Sequence, residues 1–176
     1  MTLVFDTTAL GHFARAGELD ALQGIVGGYR CVVPAEVIAE LVNGMTTYPA
    51  LAPAVSVSWV EIVELTSVDE LVAFAQYKTE FGGGPKRNNG EAAVLAWTRV
   101  NGGTAIVDEV AATRAARRDG IDVHGTLWLI TNGVRAGVLD RGSAEAIVDA
   151  LVATGMRLPV DGAGFFAWAY EQGLLP

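Results

Sequence analysis

Two short apolar runs, Leu3 to Phe5 and Thr104 to Val107, each end at an aspartate, Asp6 and Asp108, and helix-forming residues follow both. Runs this short and this continuously apolar suit strands buried on both faces of a sheet. After Asp6, Thr7 or Thr8 can cap the next helix through a side-chain oxygen. The pattern recurs. Tyr29 to Val33 is a second strand, and Pro34 is well placed in the first turn of a helix reaching about Val42. In Trp59 to Leu65, Glu61 and Glu64 interrupt apolar residues, which predicts a short, partly exposed strand. Val68 to Phe81 has helical spacing. Gly82 to Gly90 mixes Gly, Pro and Asn and predicts a mobile loop, neither helix nor strand. Glu91 to Val100 is then a helix, a further helix follows Asp108 and Glu109 and runs through Arg118, and Ile121 to His124 is a fifth strand. The remainder, to Pro176, predicts three helices broken near residues 137–142 and 155–161. Strands alternating with helices require right-handed crossovers and a mainly parallel sheet covered on both faces, an α/β fold.

The length of 176 residues fits one domain over 1–176, with 159–176 as a C-terminal helical extension. Cys31 is the single cysteine, so no internal disulfide forms, and with only His12 and His124 beside it no structural zinc site can be built. That suits a reducing cytoplasm. Apolar residues make up 51% of the chain, yet no run approaches the roughly 18 needed to span a bilayer. Asp6 breaks the early apolar stretch and no basic residue precedes it, which does not fit a secretory signal. The apolar surplus points instead to a subunit or partner interface. A net charge of −8 excludes holding nucleic acid through overall positive charge, so any nucleic-acid chemistry must be local.

In open parallel sheets the ligand crevice lies beyond the carboxyl ends of the strands, where Asp6 and Asp108 stand. Glu91 begins the helix that leads into the second of these strands, and Glu40 lies late in the helix after Pro34. Four carboxylates from separated segments can thus converge at one sheet edge, too far apart in sequence for a single metal-binding loop. Such a cluster raises its own pKa values or takes a cation. Hard Mg²⁺ or Mn²⁺ suits all-oxygen ligands and leaves room for substrate phosphate, which points to phosphodiester hydrolysis. Each acid taken alone has a plainer reading: Asp6 as a helix cap, Glu91 as a dipole partner, Glu40 as a solvated face residue, Asp108 or Glu109 as a turn cap.

The segments Leu3 to Leu10, Val32 to Leu41, and Gly90 to Ala93 with Val107 to Glu109 resemble the successive acidic motifs of the PIN-domain family. Gly90-Glu91-Ala92 and Val123 to Leu127 are more closely similar to the branch related to VapC-type toxins. The resemblance spans Leu3 to about Leu158 and implies a three-layer α/β/α sandwich around a parallel sheet. It also implies Mg²⁺- or Mn²⁺-dependent cleavage of RNA, often inhibited by a small antitoxin. Asp6, Glu40, Glu91 and Asp108 then form the acidic set, Asp108 preferred over Glu109 because it follows the strand directly. On that assignment Asp6 and Asp108 anchor metal, Glu91 binds it directly or through water, and Glu40 holds a second metal or orients water. Thr7 or Thr8 can orient water or phosphate. Arg114, Arg117 and Arg118 share one helical face and, with Lys86 and Arg87, can contact an RNA backbone; a solvated face is the plainer reading.

Other groups carry less. His12 reads as a surface or interface residue, His124 as a structural strand-end residue, and Cys31 as an inert core thiol. Trp97, Trp128, Phe165, Phe166 and Trp168 can stack bases, but helical spacing favours core or dimer packing. A phosphoaspartyl phosphatase needs a second acid where Thr8 stands, and a P-loop fails because Arg87 follows Lys86. A PIN-like module that binds protein or RNA without strong catalysis is the alternative to an enzyme. The segments Leu127 to Val138 and Phe165 to Leu175 offer apolar surface for a homodimer or an antitoxin.

Overall fold

The computed structural model describes residues 1–82, 84 and 88–176. Five parallel strands form one sheet: β1 (Thr2–Phe5), β2 (Arg30–Pro34), β3 (Val60–Val63), β4 (Thr104–Ile106) and β5 (Asp122–His124), in the order β3-β2-β1-β4-β5. Leu3, Val4 and Phe5 are fully buried because β1 is central and covered on both faces, as the unbroken apolar run requires. The outer strand β3 keeps Glu61 and Ile62 exposed, as its acidic interruptions predict.

Nine α-helices are described: α1 (Thr7–Ala16), α2 (Leu19–Val26), α3 (Ala35–Gly44), α4 (Val68–Phe81), α5 (Asn89–Asn101), α6 (Val110–Arg118), α7 (Thr126–Arg135), α8 (Arg141–Ala153) and α9 (Gly162–Glu171). In one layer α1 packs on α2 and α8, α2 on α7, and α8 on α9; in the other α5 packs on α4 and α6 and lies across β1, β2 and β4. The architecture is the three-layer α/β/α sandwich. Phe165, Phe166 and Ala169 of α9 are buried in the same apolar cluster as the strands. Among the described residues no helix is long and apolar enough to cross a membrane.

Several expected boundaries move. Pro34 closes β2 and precedes α3 instead of sitting inside its first turn. Asn89 and Gly90, expected in a loop, are the first residues of α5, entered through Asn88 at φ 58°, a left-handed value that Asn tolerates. The short helix α2 and a 3₁₀ segment at Pro49–Val55 complete the connections from β1 to β2 and from α3 to β3.

Candidate functional site

The strand order reverses direction between β1 and β4: β1 leads outward to β2 and β3, while β4 leads the other way to β5. Such a switch point opens a crevice beyond the carboxyl ends of its two strands. Asp6 follows β1, and its backbone N–H donates to the Ile106 carbonyl at 3.2 Å; Asp108 stands two residues beyond that carbonyl.

Asp6 is fully buried. Its Oδ1 accepts from the Ala9 N–H at 2.9 Å, so Asp6 itself caps α1, where Thr7 or Thr8 was expected to do so. Its Oδ2 is buried and receives no hydrogen bond. Burial and then the charge of Asp108 push the Asp6 carboxyl well above its ordinary range; the Ala9 N–H opposes this, and Glu91 and Glu40 add to it. A cap alone explains Oδ1 and leaves Oδ2 without a purpose.

Asp108 is held from β5 and α7. Thr126 donates its N–H to Oδ1 at 2.9 Å and its hydroxyl to Oδ2 at 2.7 Å. Burial raises this carboxyl and the two bonds from Thr126 hold the rise in check. Gly125 makes the approach possible, since a Cβ there would lie 2.6 Å from Oδ1.

Glu40 reaches across from α3 to receive α5. Its Oε1 accepts from the N–H groups of Asn89 (3.0 Å) and Gly90 (2.9 Å), and its Oε2 accepts from the Thr7 hydroxyl at 2.6 Å. Three of its roughly four lone-pair sites are thus occupied. Thr7 is committed to Glu40 by the same bond. Glu91, in the first turn of α5, has a buried Oε2 that receives no hydrogen bond. Burial raises its carboxyl; its own N–H lowers it, the charges of Glu40 and Glu109 raise it, and Lys78 lowers it.

Three shallow clefts join these residues along one edge. One of about 230 Å³ is lined by Thr8, His12, Asp108, Glu109 and Arg157. A second, about 240 Å³, shares Glu109 and reaches Glu91 and Asn88. A third, about 210 Å³, shares Thr8 and His12 and reaches Thr7 and Glu40. A hollow of about 580 Å³ between α7 and α9 contains none of these acids and lacks their chemistry. Glu109 is exposed where the first two clefts meet.

The basic residues divide. Arg114 and Arg117 are exposed on α6, while Arg118 is bound by Glu80 at 2.7 Å and Asp119 at 2.8 Å. Lys86 and Arg87 lie outside the described residues. Sequence reasoning missed Arg157, which brings positive charge to the cleft beside Asp108, and Thr126, whose Gly125-Thr126 step at a strand end was the available signal. It also missed the setting of His12, whose ring Nδ1 lies 2.5 Å from the Thr154 hydroxyl. That hydroxyl donates to the Leu151 carbonyl, so Nδ1 carries the proton and Nε2 is left as an acceptor. Cys31 is buried and burial pushes its thiol up to about 11, which fits an inert core group.

Among the described residues no three Asp, Glu, His or Cys side chains form a ready-made metal cage. The donor set still fits a hard divalent cation that takes one or two carboxylates and keeps its waters. Asp6 Oδ2 and Glu91 Oε2, two of the four buried side-chain oxygens that receive no hydrogen bond among the described residues (Glu36 Oε2 and Asn89 Oδ1 are the others), belong to this acidic set.

Comparison with known proteins adds one match: the family model DUF3368, a PIN domain, covers residues 2–163. No protein of curated function and no solved structure matches the chain. PIN domains have a nuclease-type fold and are in general hydrolytic nucleases that use divalent metal ions. The sheet, its acidic switch point and this match over nearly the whole length agree: the chain belongs to the PIN-domain family.

Proposed function

We propose that the protein is a Mg²⁺- or Mn²⁺-dependent ribonuclease that hydrolyses RNA phosphodiester bonds. It acts in the cytoplasm as the toxin of a toxin–antitoxin pair, with a small antitoxin protein and a second copy of itself as partners. The observation that carries the nuclease reading is the pair of buried carboxylate oxygens without a donor, Asp6 Oδ2 and Glu91 Oε2, at the β1/β4 switch point. Leaving such groups unsatisfied costs about 1–3 kcal/mol each, a cost that a cation removes. The likeness of Gly90 to Ala92 and of Val123 to Leu127 to the VapC-related branch supports the toxin assignment.

When bound there, a divalent cation would supply a water of lowered pKa and neutralise charge on phosphate. Asp6 and Glu91 would hold it, and Asp108 or Glu109 would complete the set directly or through water. Glu40 positions Glu91 by gripping the start of α5, and its remaining lone pair can orient water. Thr8 and Arg157 face the phosphate in the cleft, and Arg114 and Arg117 meet the backbone farther along.

One observation favours a second reading, a catalytically weak module that binds protein or RNA: Glu40 and both oxygens of Asp108 already accept protein hydrogen bonds. Cleavage of structured and unstructured RNAs with Mn²⁺, Mg²⁺ or EDTA, beside Asp6→Asn, separates the two. The nuclease reading expects metal-dependent cleavage that Asp6→Asn abolishes. Folded protein that neither cleaves nor binds Mn²⁺ leaves the binding module.

A further inference from the structure

We propose that the stacked rings of His124 and Trp128 form a platform for an unpaired nucleobase of single-stranded RNA, beside the acidic edge. The inference rests on the ribonuclease reading for its ligand. The two rings lie 4.1 Å apart and 4° from parallel. Trp128 packs one part of its ring against the core and stays only partly buried, and 34% of the His124 side chain is exposed. A second stack, Tyr77 on Phe81, reaches the cleft beside Glu91, but Tyr77 is buried; the His124–Trp128 pair stands at the carboxyl end of β5, and Phe165 and Phe166 turn inward.

Asp122, two residues earlier on β5, lies beside the His124 ring. Asp122 Oδ1 stands 3.4 Å from His124 Nε2, and Asp122 Oδ2 accepts the Thr104 hydroxyl at 2.5 Å. A preorganised π-face loses little freedom when a base settles on it. Arg117 is exposed and its charge acts on His124, which supplies a cation for the phosphate flanking a stacked base. The platform is also tied to the acids. His124 is followed by Gly125, which touches Asp108, and by Thr126, which donates two hydrogen bonds to it. Two Cα steps of about 3.8 Å separate the backbone positions of His124 and Thr126. A base seated here sets which phosphate lies at the acidic edge.

The test is anisotropy of labelled octaribonucleotides in EDTA, where binding is read without turnover. Single-stranded RNA, the same strand in a duplex, and a series with one abasic position each are compared. One or two abasic positions are expected to weaken binding by roughly 5- to 150-fold. Trp128→Leu is expected to lose the same factor for the single strand and to become insensitive to the abasic position, while Trp128→Phe retains it. Equal tolerance of all abasic positions by the wild-type protein overturns the platform whether or not Trp128→Leu folds, and so does absence of saturable single-strand binding. Metal-dependent cleavage with no abasic penalty removes the platform and leaves the nuclease; an abasic penalty without cleavage does the reverse.

Discussion

Asp6 performs two tasks with two oxygens. Oδ1 caps α1 and Oδ2 faces the other acids without a donor. Asn keeps the capping oxygen and removes the charge. Because the folded-state carboxyl of Asp6 is raised above its ordinary value, its effect on stability is absent below that value, and a penalty builds as pH rises from it and is complete above the folded pKa. Asp6→Asn is therefore expected to raise the melting temperature in EDTA at neutral pH, each ~1 kcal/mol relieved giving about 2–4 °C. The gain should vanish at acidic pH, and Mn²⁺ should stabilise the wild type but not the variant. Scanning calorimetry at two pH values checks both. An equal or lower melting temperature for Asp6→Asn at neutral pH would show that no charge penalty is stored there. The placement of Asp6 and Asp108 beyond the ends of β1 and β4 could be read from the sequence because each follows a continuous apolar run. The duties of Thr126, Arg157 and His12 could not, since each depends on a partner supplied by a distant segment.

Helix α5 carries Glu91 and is gripped at both ends by other elements. Glu40 of α3 accepts the N–H groups of its first turn, and Asn101 at its end donates to Glu70 of α4 at 2.7 Å. This explains the misplaced helix start: Asn89 and Gly90 have turn propensity, and a carboxylate about fifty positions away in sequence overrides it. A Cβ at Gly90 would lie 2.7 Å from both Glu40 Oε2 and the Thr7 hydroxyl. Gly90→Ala should cost about 1–3 kcal/mol by overpacking and displace Glu40, lowering kcat/KM more than RNA affinity. Urea denaturation with steady-state kinetics reads both; wild-type values would show that Glu40 can yield freely. At the start of α4, Ser67 and Glu70 form a reciprocal capping box. Burial raises Glu70, but hydrogen bonds from Ser67, Asn101 and Thr66 carry it down to about 2. A folded value below the ordinary carboxylate value gives stability that is complete above about 4.3 and is lost as pH falls toward 2. Glu70→Ala should therefore cost about 1–2 kcal/mol at neutral pH and progressively less below pH 4, as paired urea titrations would measure.

At the scale of the molecule, a net charge of −8 surrounds a site proposed to take a polyanion. Arg157 and Arg15 line clefts beside the acids, the charge of Lys78 acts on Glu91, and Arg114 and Arg117 are exposed on α6. Each true phosphate contact on single-stranded RNA contributes about 0.7 to the slope of log affinity against log salt. Arg114→Ala and Arg117→Ala should each flatten that slope by about this amount, whereas Arg118→Ala, already bound by Glu80 and Asp119, should leave it unchanged. An unchanged slope in the first two would assign them to a solvated face. The alternation of strand and helix was legible because burial on both faces leaves continuous apolar runs. The 3₁₀ segment at Pro49–Val55 and α2 were not, since short elements with Pro or Gly carry no periodicity of their own.

The strand order has a consequence for how the molecule can be divided. Residues 1–82 contain β1, β2, β3 and α1 to α4, and residues 88–176 contain β4, β5 and α5 to α9. The boundary in sequence is also a seam in space, β1 against β4, with Asp6 and Glu40 on one side and Glu91 and Asp108 on the other. A chain cut between the two segments therefore separates two half-sheets, each with one strand edge bared and half of the acids. On the proposed function, metal binding would become a property of their reunion, so two such fragments would report their own association, silent apart and competent together.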